Sequence, residues 1–397
     1  MRQYAIITAS YWAFTLTDGA LRMLIVLYFH QLGYSPLQIA LLFLFYEFFG
    51  IVTNLAGGWL AARFGLAATL MGGLLLQIAA LGMLLIDDAW LTVPYVMAAQ
   101  ALSGIAKDLN KMSAKSSVKH LAGSAQGRLY KLVAMLTGSK NALKGFGFFL
   151  GGALLSTLGF HGSVAALAGL LVIVAGVTGI LVDFQIGKTT FKPKFSHLVS
   201  KSGPVNRLSA ARFFLFGSRD VWFVVALPVY MQMQLGWSSV SVGTFLAVWI
   251  IGYGAVQAIS PALTGTRSGH TPDGRTAFGW GAGLVGIPLA LAIALAAGVD
   301  PTLTLVGGLL AFGFVFAVNS AVHSYLIVSY AEHDGVTLDV GFYYMSNAAG
   351  RLTGTILSGW VFQEWGMEAC LMVSAAMVLC ATYTATALPK AHRHQHQ

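Results

Sequence analysis

Two cysteines, ten prolines and 9% charged side chains in 397 residues leave this chain without the raw material of most soluble classes. Cys370 and Cys380 stand ten residues apart on one apolar stretch, which turns them to different faces of a helix. A disulfide framework and a shared thiolate site are therefore excluded as expectations. Acids are scarcer than bases, 14 against 23. No phosphate loop, metal-ligand cluster or nucleophile constellation appears, so neither an enzyme nor a cofactor or metal is expected. A small-residue cleavage site is missing from Met1 to Ser10, and the first apolar run is long enough to stay in a bilayer, so no cleaved signal peptide is expected. The tail His392-Arg393-His394-Gln395-His396-Gln397 reads as a solvated end.

What remains is apolar: 57% of residues are hydrophobic and the mean hydropathy is +0.73. About twelve runs near twenty residues long are each sufficient to cross a hydrocarbon core of ~30 Å as helix. They lie near 6–29, 36–60, 66–86, 91–113, 132–160, 163–183, 209–232, 238–262, 277–298, 301–328, 338–362 and 367–388. The expected fold is an all-α membrane protein of twelve transmembrane helices. The connections 30–35, 87–90, 161–162, 233–237, 299–300 and 363–366 carry no Lys or Arg. The alternate ones carry Arg63, Lys115, Lys119, Arg128, Lys188, Lys192, Lys194, Lys201, Arg207, Arg267 and Arg275, and the ends add Arg2, Lys390 and Arg393. The positive-inside rule then puts both termini in the cytoplasm. The net charge of +9 is an orientation signal rather than a nucleic-acid surface.

The longest polar stretch, 185–208, divides the chain into six helices (1–184) and six helices with a short cytoplasmic tail (209–397). The halves repeat. Gln31-Leu32-Gly33-Tyr34-Ser35 matches Gln234-Leu235-Gly236-Trp237-Ser238 at an offset of 203. Lys144, Gly147, Leu150, Gly152 and Gly159 match Arg351, Gly354, Leu357, Gly359 and Gly366 at 207. Two six-helix pseudo-repeats joined by a cytoplasmic linker resemble the major facilitator superfamily, which implies a substrate site near the midplane between the halves. Gly58 to Gly65 resembles that superfamily's signature loop, but Ala62 stands where its acid is expected, and Leu66 and Ala67 replace its further bases.

Charges inside the runs are the functional candidates, because each costs on the order of 3 kcal/mol at mid-bilayer on insertion scales. Asp18 and Arg22 are four apart and are expected to pair on one helix face. Glu47 lies among Phe45, Tyr46, Phe48 and Phe49. Lys107, Lys111 and Lys115 make a basic stripe beside Asp108, and Lys140 and Lys144 follow on the next helix. Arg212 opens the seventh helix and is expected to snorkel to lipid phosphates, as is Lys115. Arg219 is expected to pair with its neighbour Asp220. Lys144 and Arg351 lack an acid on their own helix faces, so two repeat-related cations are expected to clamp an anion. Arg22, Lys140, Lys107, Lys111, Asn347, Tyr344 and His323 are the further substrate-binding candidates. Asp18, Glu47, Arg219 and Asp220 form the coupling or structural charge set. Asn110, Asn141, Asn319, Tyr325 and Tyr343 suit either a polar cavity or helix–helix contacts.

Leu16-Thr17-Asp18-Gly19-Ala20-Leu21-Arg22, the run 28–58 (YFHQLGYSPLQIALLFLFYEFFGIVTNLAGG), the run 102–119 (LSGIAKDLNKMSAKSSVK) and the run 136–152 (LTGSKNALKGFGFFLGG) are more specific than the superfamily. They resemble the organoarsenical efflux permeases of bacterial arsenic-resistance operons (the ArsJ type). The resemblance is strong over the N-terminal half and looser beyond. It implies a bacterial inner-membrane exporter of 1-arseno-3-phosphoglycerate that works with a glyceraldehyde-3-phosphate dehydrogenase. A monomer is expected. The residues agree with such a cargo: trivalent arsenic calls for convergent soft thiolates, whereas pentavalent arsenate is a hard oxyanion that calls for Arg and Lys. An organophosphate or sugar-phosphate exchanger has nearly the same cation needs. A proton-driven multidrug exporter built on Asp18 and Glu47 is disfavoured by the excess of buried bases.

Overall fold

The computed structural model describes residues 2–122, 126–183, 202–264, 272–330 and 336–389. Most of the expected linker (184–201), Arg267 and the histidine-rich tail lie outside these residues, as do the side chains of Arg63, Lys115, Lys119 and Arg128. Among the described residues there is no strand. The order is α1 (Arg2–Gln31), α2 (Pro36–Leu42), α3 (Leu44–Phe64), α4 (Leu66–Met83), α5 (Val93–Ala122), α6 (Gln126–Leu181), α7 (Gly203–Phe223), α8 (Ala226–Met233), α9 (Ser239–Leu263), α10 (Gly274–Ala296), α11 (Pro301–Tyr330) and α12 (Val336–Ala385).

Nine stretches among the described residues are long and apolar enough to cross a membrane. Two of them, Ser139–Leu181 and Gly341–Ala385, are double length. Each folds as two spans because one glycine breaks it: Gly159 at φ 66° in α6 and Gly366 at φ 80° in α12. Only glycine visits this left-handed region without steric cost, so a single residue suffices to turn the chain. α5 is long enough at 30 residues, but its lysines and aspartate keep it out of the apolar set. The twelve expected spans are thus accounted for. Large apolar side chains such as Ile180, Leu303 and Met372 face outward, as a lipid-bathed surface requires.

The first sequence match is realised as a pair of helix starts. Gly33 and Gly236 both take positive φ, and the serine two residues on caps the next helix. Ser35 Oγ accepts from the Gln38 amide at 3.3 Å, and Ser238 Oγ accepts from the Ser241 amide at 3.2 Å. Pro36 then occupies the first turn of α2, where a missing N–H costs nothing.

The chain divides into two compact units, one of residues 1–196 with 228–251 and one of residues 197–227 with 252–397. In the first, α1 packs on α6 through glycines. A Cβ on Gly147 would lie 2.6 Å from the Leu16 carbonyl oxygen, and one on Gly151 would lie 2.5 Å from that of Ala20. In the second, α7 packs on α12 in the same way, with Gly350 on the Phe213 carbonyl (2.1 Å) and Gly354 on that of Gly217 (2.6 Å). Helix backbones approach this closely only where no side chain intervenes. Both crossings set glycine on glycine, Gly147 on Gly19 and Gly354 on Gly217, each with the added Cβ 3.1 Å from the facing Cα, so the offset of 207 holds in packing as it does at the break glycines.

Candidate functional site

Each unit holds a cluster of charged side chains. In the first unit the cluster is built by α1, α3, α5 and α6. Arg22 Nη2 donates to Glu47 Oε1 at 2.8 Å, and the guanidinium lies 5.0 Å from the Phe43 ring centre and 4.9 Å from that of Tyr46. Glu47 is fully buried. The expected Asp18–Arg22 pair is not formed. Asp18 instead accepts a 2.7 Å hydrogen bond from the Tyr46 hydroxyl, a partner that spacing along one helix cannot reveal. Lys107 Nζ stands over the Tyr46 ring at 4.0 Å, 3.7 Å from Asp108 Oδ2 and 4.0 Å from Glu47 Oε2. Lys111 Nζ donates to Asp108 Oδ1 and to Asn54 Oδ1. Two lysines of the stripe thus neutralise buried acids rather than forming a free basic face. Lys140 and Lys144 are half-buried on α6, with Lys144 Nζ 5.7 Å from the Phe148 ring centre.

The second unit's cluster is built by α7, α9, α11 and α12. Asp220 is fully buried and takes two arginines. Arg219 Nε donates to Oδ1 at 2.6 Å, with its Nη2 on the same oxygen, and Arg351 Nε donates to Oδ2 at 3.0 Å. The local Arg219–Asp220 contact is the one the sequence suggests. Arg351 departs from expectation, since its acid comes from another helix.

Arg212 departs further. It is not an interfacial arginine but is 5% exposed, because α7 begins at Gly203 and places it well inside the helix. Its Nε donates to Asn347 Oδ1 at 2.9 Å, and its Nη1 donates to the backbone oxygen and hydroxyl of Ser320, both at 3.1 Å. Its guanidinium carbon lies 3.9 Å from the Phe216 ring centre and 5.1 Å from that of Tyr343. Gln257 Nε2 donates to the Tyr253 hydroxyl at 2.7 Å, and that hydroxyl lies 3.1 Å from Ser320 Oγ. His323 is buried one turn along α11, and Tyr344 is half-buried. Tyr325 is 45% exposed and leaves the candidate set. Asn110 and Asn319 serve helix contacts, the first against Gly73 and the second against Gly281.

Buried and half-buried bases outnumber the acids buried with them: Arg22, Lys107, Lys111, Lys140 and Lys144 with Asp18, Glu47 and Asp108 in the first unit, and Arg212, Arg219 and Arg351 with Asp220 and Asp339 in the second. Among the described residues no group of three or more His, Cys, Asp or Glu converges as a metal site. Cys370 is buried and Cys380 is exposed.

A model of the major facilitator superfamily matches residues 7–270. Among solved structures, the chain is similar to a POT family transporter in complex with 5-aminolevulinic acid. The TM-score is 0.77 and the identity 12%, over 96% of this chain and 95% of that one. It is also similar to a mutant of the peptide transporter POT in complex with sulfate, with TM-score 0.73 and 16% identity over 97% and 93%. These likenesses establish the fold alone. No curated protein sequence matches. The superfamily model spans well over half of the chain, so this twelve-span protein belongs to the major facilitator superfamily and is a multi-pass membrane transporter.

Proposed function

We propose that the protein exports a small organic polyanion, with 1-arseno-3-phosphoglycerate as the cargo its sequence resemblance favours. The observation that carries this reading is the surplus of membrane-embedded cations over acids in both units. A buried charge is costly, and a surplus of one sign lowers the cost of bringing in its opposite. A cargo bearing phosphate, carboxylate and arsenate groups is a hard, multiply charged anion suited to Arg and Lys. The separated cysteines offer soft trivalent arsenic no paired thiolates. Asp18, Glu47, Asp108 and Asp220 are each engaged by a base or a hydroxyl, which disfavours a site for cationic drugs.

In this reading Lys144, Lys140 and Arg351 bind the cargo, with Asn347, Tyr344 and His323 as polar neighbours. Lys107, Lys111 and Arg22 share their charge with acids. The chain sits in a bacterial inner membrane with both termini cytoplasmic, as a monomer. It works beside a glyceraldehyde-3-phosphate dehydrogenase that makes the unstable product. Each net negative charge leaving an interior-negative cell gains ~2.3 kcal/mol per 100 mV, so efflux needs no proton gradient.

The test is arsenate tolerance of a sensitive bacterium carrying the chain, the dehydrogenase, or both. Tolerance should rise most with both. No gain at verified membrane abundance would sink the reading, and protection against arsenite alone would assign a different cargo. The same cations would serve an organophosphate exchanger, so competition by stable phosphorylated acids in vesicles separates the two.

A further inference from the structure

We propose that Arg212 is an anion-binding residue whose outer nitrogen, Nη2, takes an oxygen of a phosphate-type group on the transported molecule. The assignment deepens the polyanion reading and rests on it. Arg219 and Arg351 are ion-paired with Asp220. Arg212 is not. Its hydrogen-bond partners, Asn347 and Ser320, are neutral, and it makes no ion pair among the described residues. It is 5% exposed, so its charge is held where water screens it poorly. A guanidinium in such a place without a counter-ion is a large unmet electrostatic demand.

The geometry directs that demand to one atom. Three N–H groups, on Nε and Nη1, are spent on Asn347 and Ser320. Nη2 makes no hydrogen bond, and it is not among the buried polar atoms sealed from solvent. The small exposure of Arg212 therefore leaves Nη2 reachable. The plane is fixed in advance by Phe216 beneath it at 3.9 Å and by the two anchoring residues, so little side-chain freedom is lost on binding. Ser320 is itself held by Tyr253 and Gln257, which stiffens the anchor. One turn further along α11, His323 Nδ1 is buried without a hydrogen bond, a second unmet polar atom on the same helix. A purely structural clamp between α7, α11 and α12 would use the same Nε and Nη1 contacts but would gain nothing from a net charge. Planar Arg suits a tetrahedral oxyanion, whereas Lys offers a point charge.

The experiment uses the purified full-length protein in nanodiscs and radiolabelled 3-phosphoglycerate, with glycerate as the phosphate-free comparison. Arg212→Gln and Arg212→Met should weaken phosphoglycerate binding by roughly 10- to 100-fold, the range of a lost charge-assisted hydrogen bond. They should also reduce its preference over glycerate. Arg212→Lys keeps the charge but not the planar fork. It should melt near the parent temperature and bind several-fold more weakly. Parental affinity and parental preference in Arg212→Lys would overturn the assignment, even if the neutral variants fail to fold, and so would parental affinity in folded Arg212→Gln. A parent protein that binds neither phosphoglycerate nor inorganic phosphate would remove the polyanion reading itself, and this assignment with it.

Discussion

Changing Asp220 to Asn removes one negative charge from a site where two arginines depend on it. Asp220 is fully buried, with Arg219 Nε at 2.6 Å and Arg351 Nε at 3.0 Å. At an effective dielectric of about 20, unit charges ~4 Å apart attract by ~4 kcal/mol. Desolvation offsets part of this in the intact cluster. After the substitution the arginines stay buried and the offset is no longer available. Breaking such a cluster by removing one partner costs on the order of 3–5 kcal/mol. For a unit of this size each kcal/mol shifts melting by about 2–4 °C, so the expected loss is roughly 6–20 °C. The assay is thermal unfolding of purified protein followed by tryptophan fluorescence, with Trp222 two residues from the change. The double variant Asp220→Asn with Arg351→Gln should melt higher than the sum of the two single losses implies, because it removes one orphaned charge along with its acid. A single variant within 2 °C of the parent (the smallest shift per ~1 kcal/mol), or strict additivity in the double, would refute the reasoning.

Glu47→Gln should abolish transport and lower abundance, whereas Asp18→Asn, which keeps an acceptor for the Tyr46 hydroxyl, should cost about 1 kcal/mol or less. Transport assays on matched membranes would contradict this ranking if Asp18→Asn proved the more damaging. Replacing both Lys107 and Lys111 by Gln strands Asp108 and leaves Glu47 with Arg22, so the maximal rate and the yield should fall together, and a pure rise in KM would instead mark the lysines as an entry patch. Gly350→Ala drives a Cβ to 2.1 Å from the Phe213 carbonyl and should cost ~1–3 kcal/mol in melting experiments, while Gly252→Ala, with nothing within 4 Å, should be silent.

The span pattern was legible because a bilayer imposes length and hydropathy on each helix, and the turn motifs were legible because glycine and serine serve local geometry. Gly33 with Ser35 and Gly236 with Ser238 illustrate both. Arg219–Asp220 was legible as a local pair, but charge partners from other helices were not. Spacing along one helix suggested Asp18–Arg22, but the partners Glu47 and Tyr46 arrive from α3, and Asp220 reaches Arg351 from α7. Neighbours across helices leave no periodic trace in a single sequence. Arg212 was misread for a related reason. Counted from the first strongly apolar residue it stands at a helix end, but the polar segment from Gly203 is already helix and carries it inward. An earlier start was suggested only by Pro204, which sits in the first turn of α7.

The defining property proposed for this transporter is flux of a polyanion. Uptake into inside-out vesicles tests it most directly, with radiolabelled arsenate, glyceraldehyde-3-phosphate and the dehydrogenase, each omitted in turn. Labelled arsenic should accumulate only when all three and the transporter are present, and Arg351→Gln and Lys144→Gln should each abolish it at normal abundance. Accumulation without the dehydrogenase, or undiminished accumulation in both variants, would contradict the account.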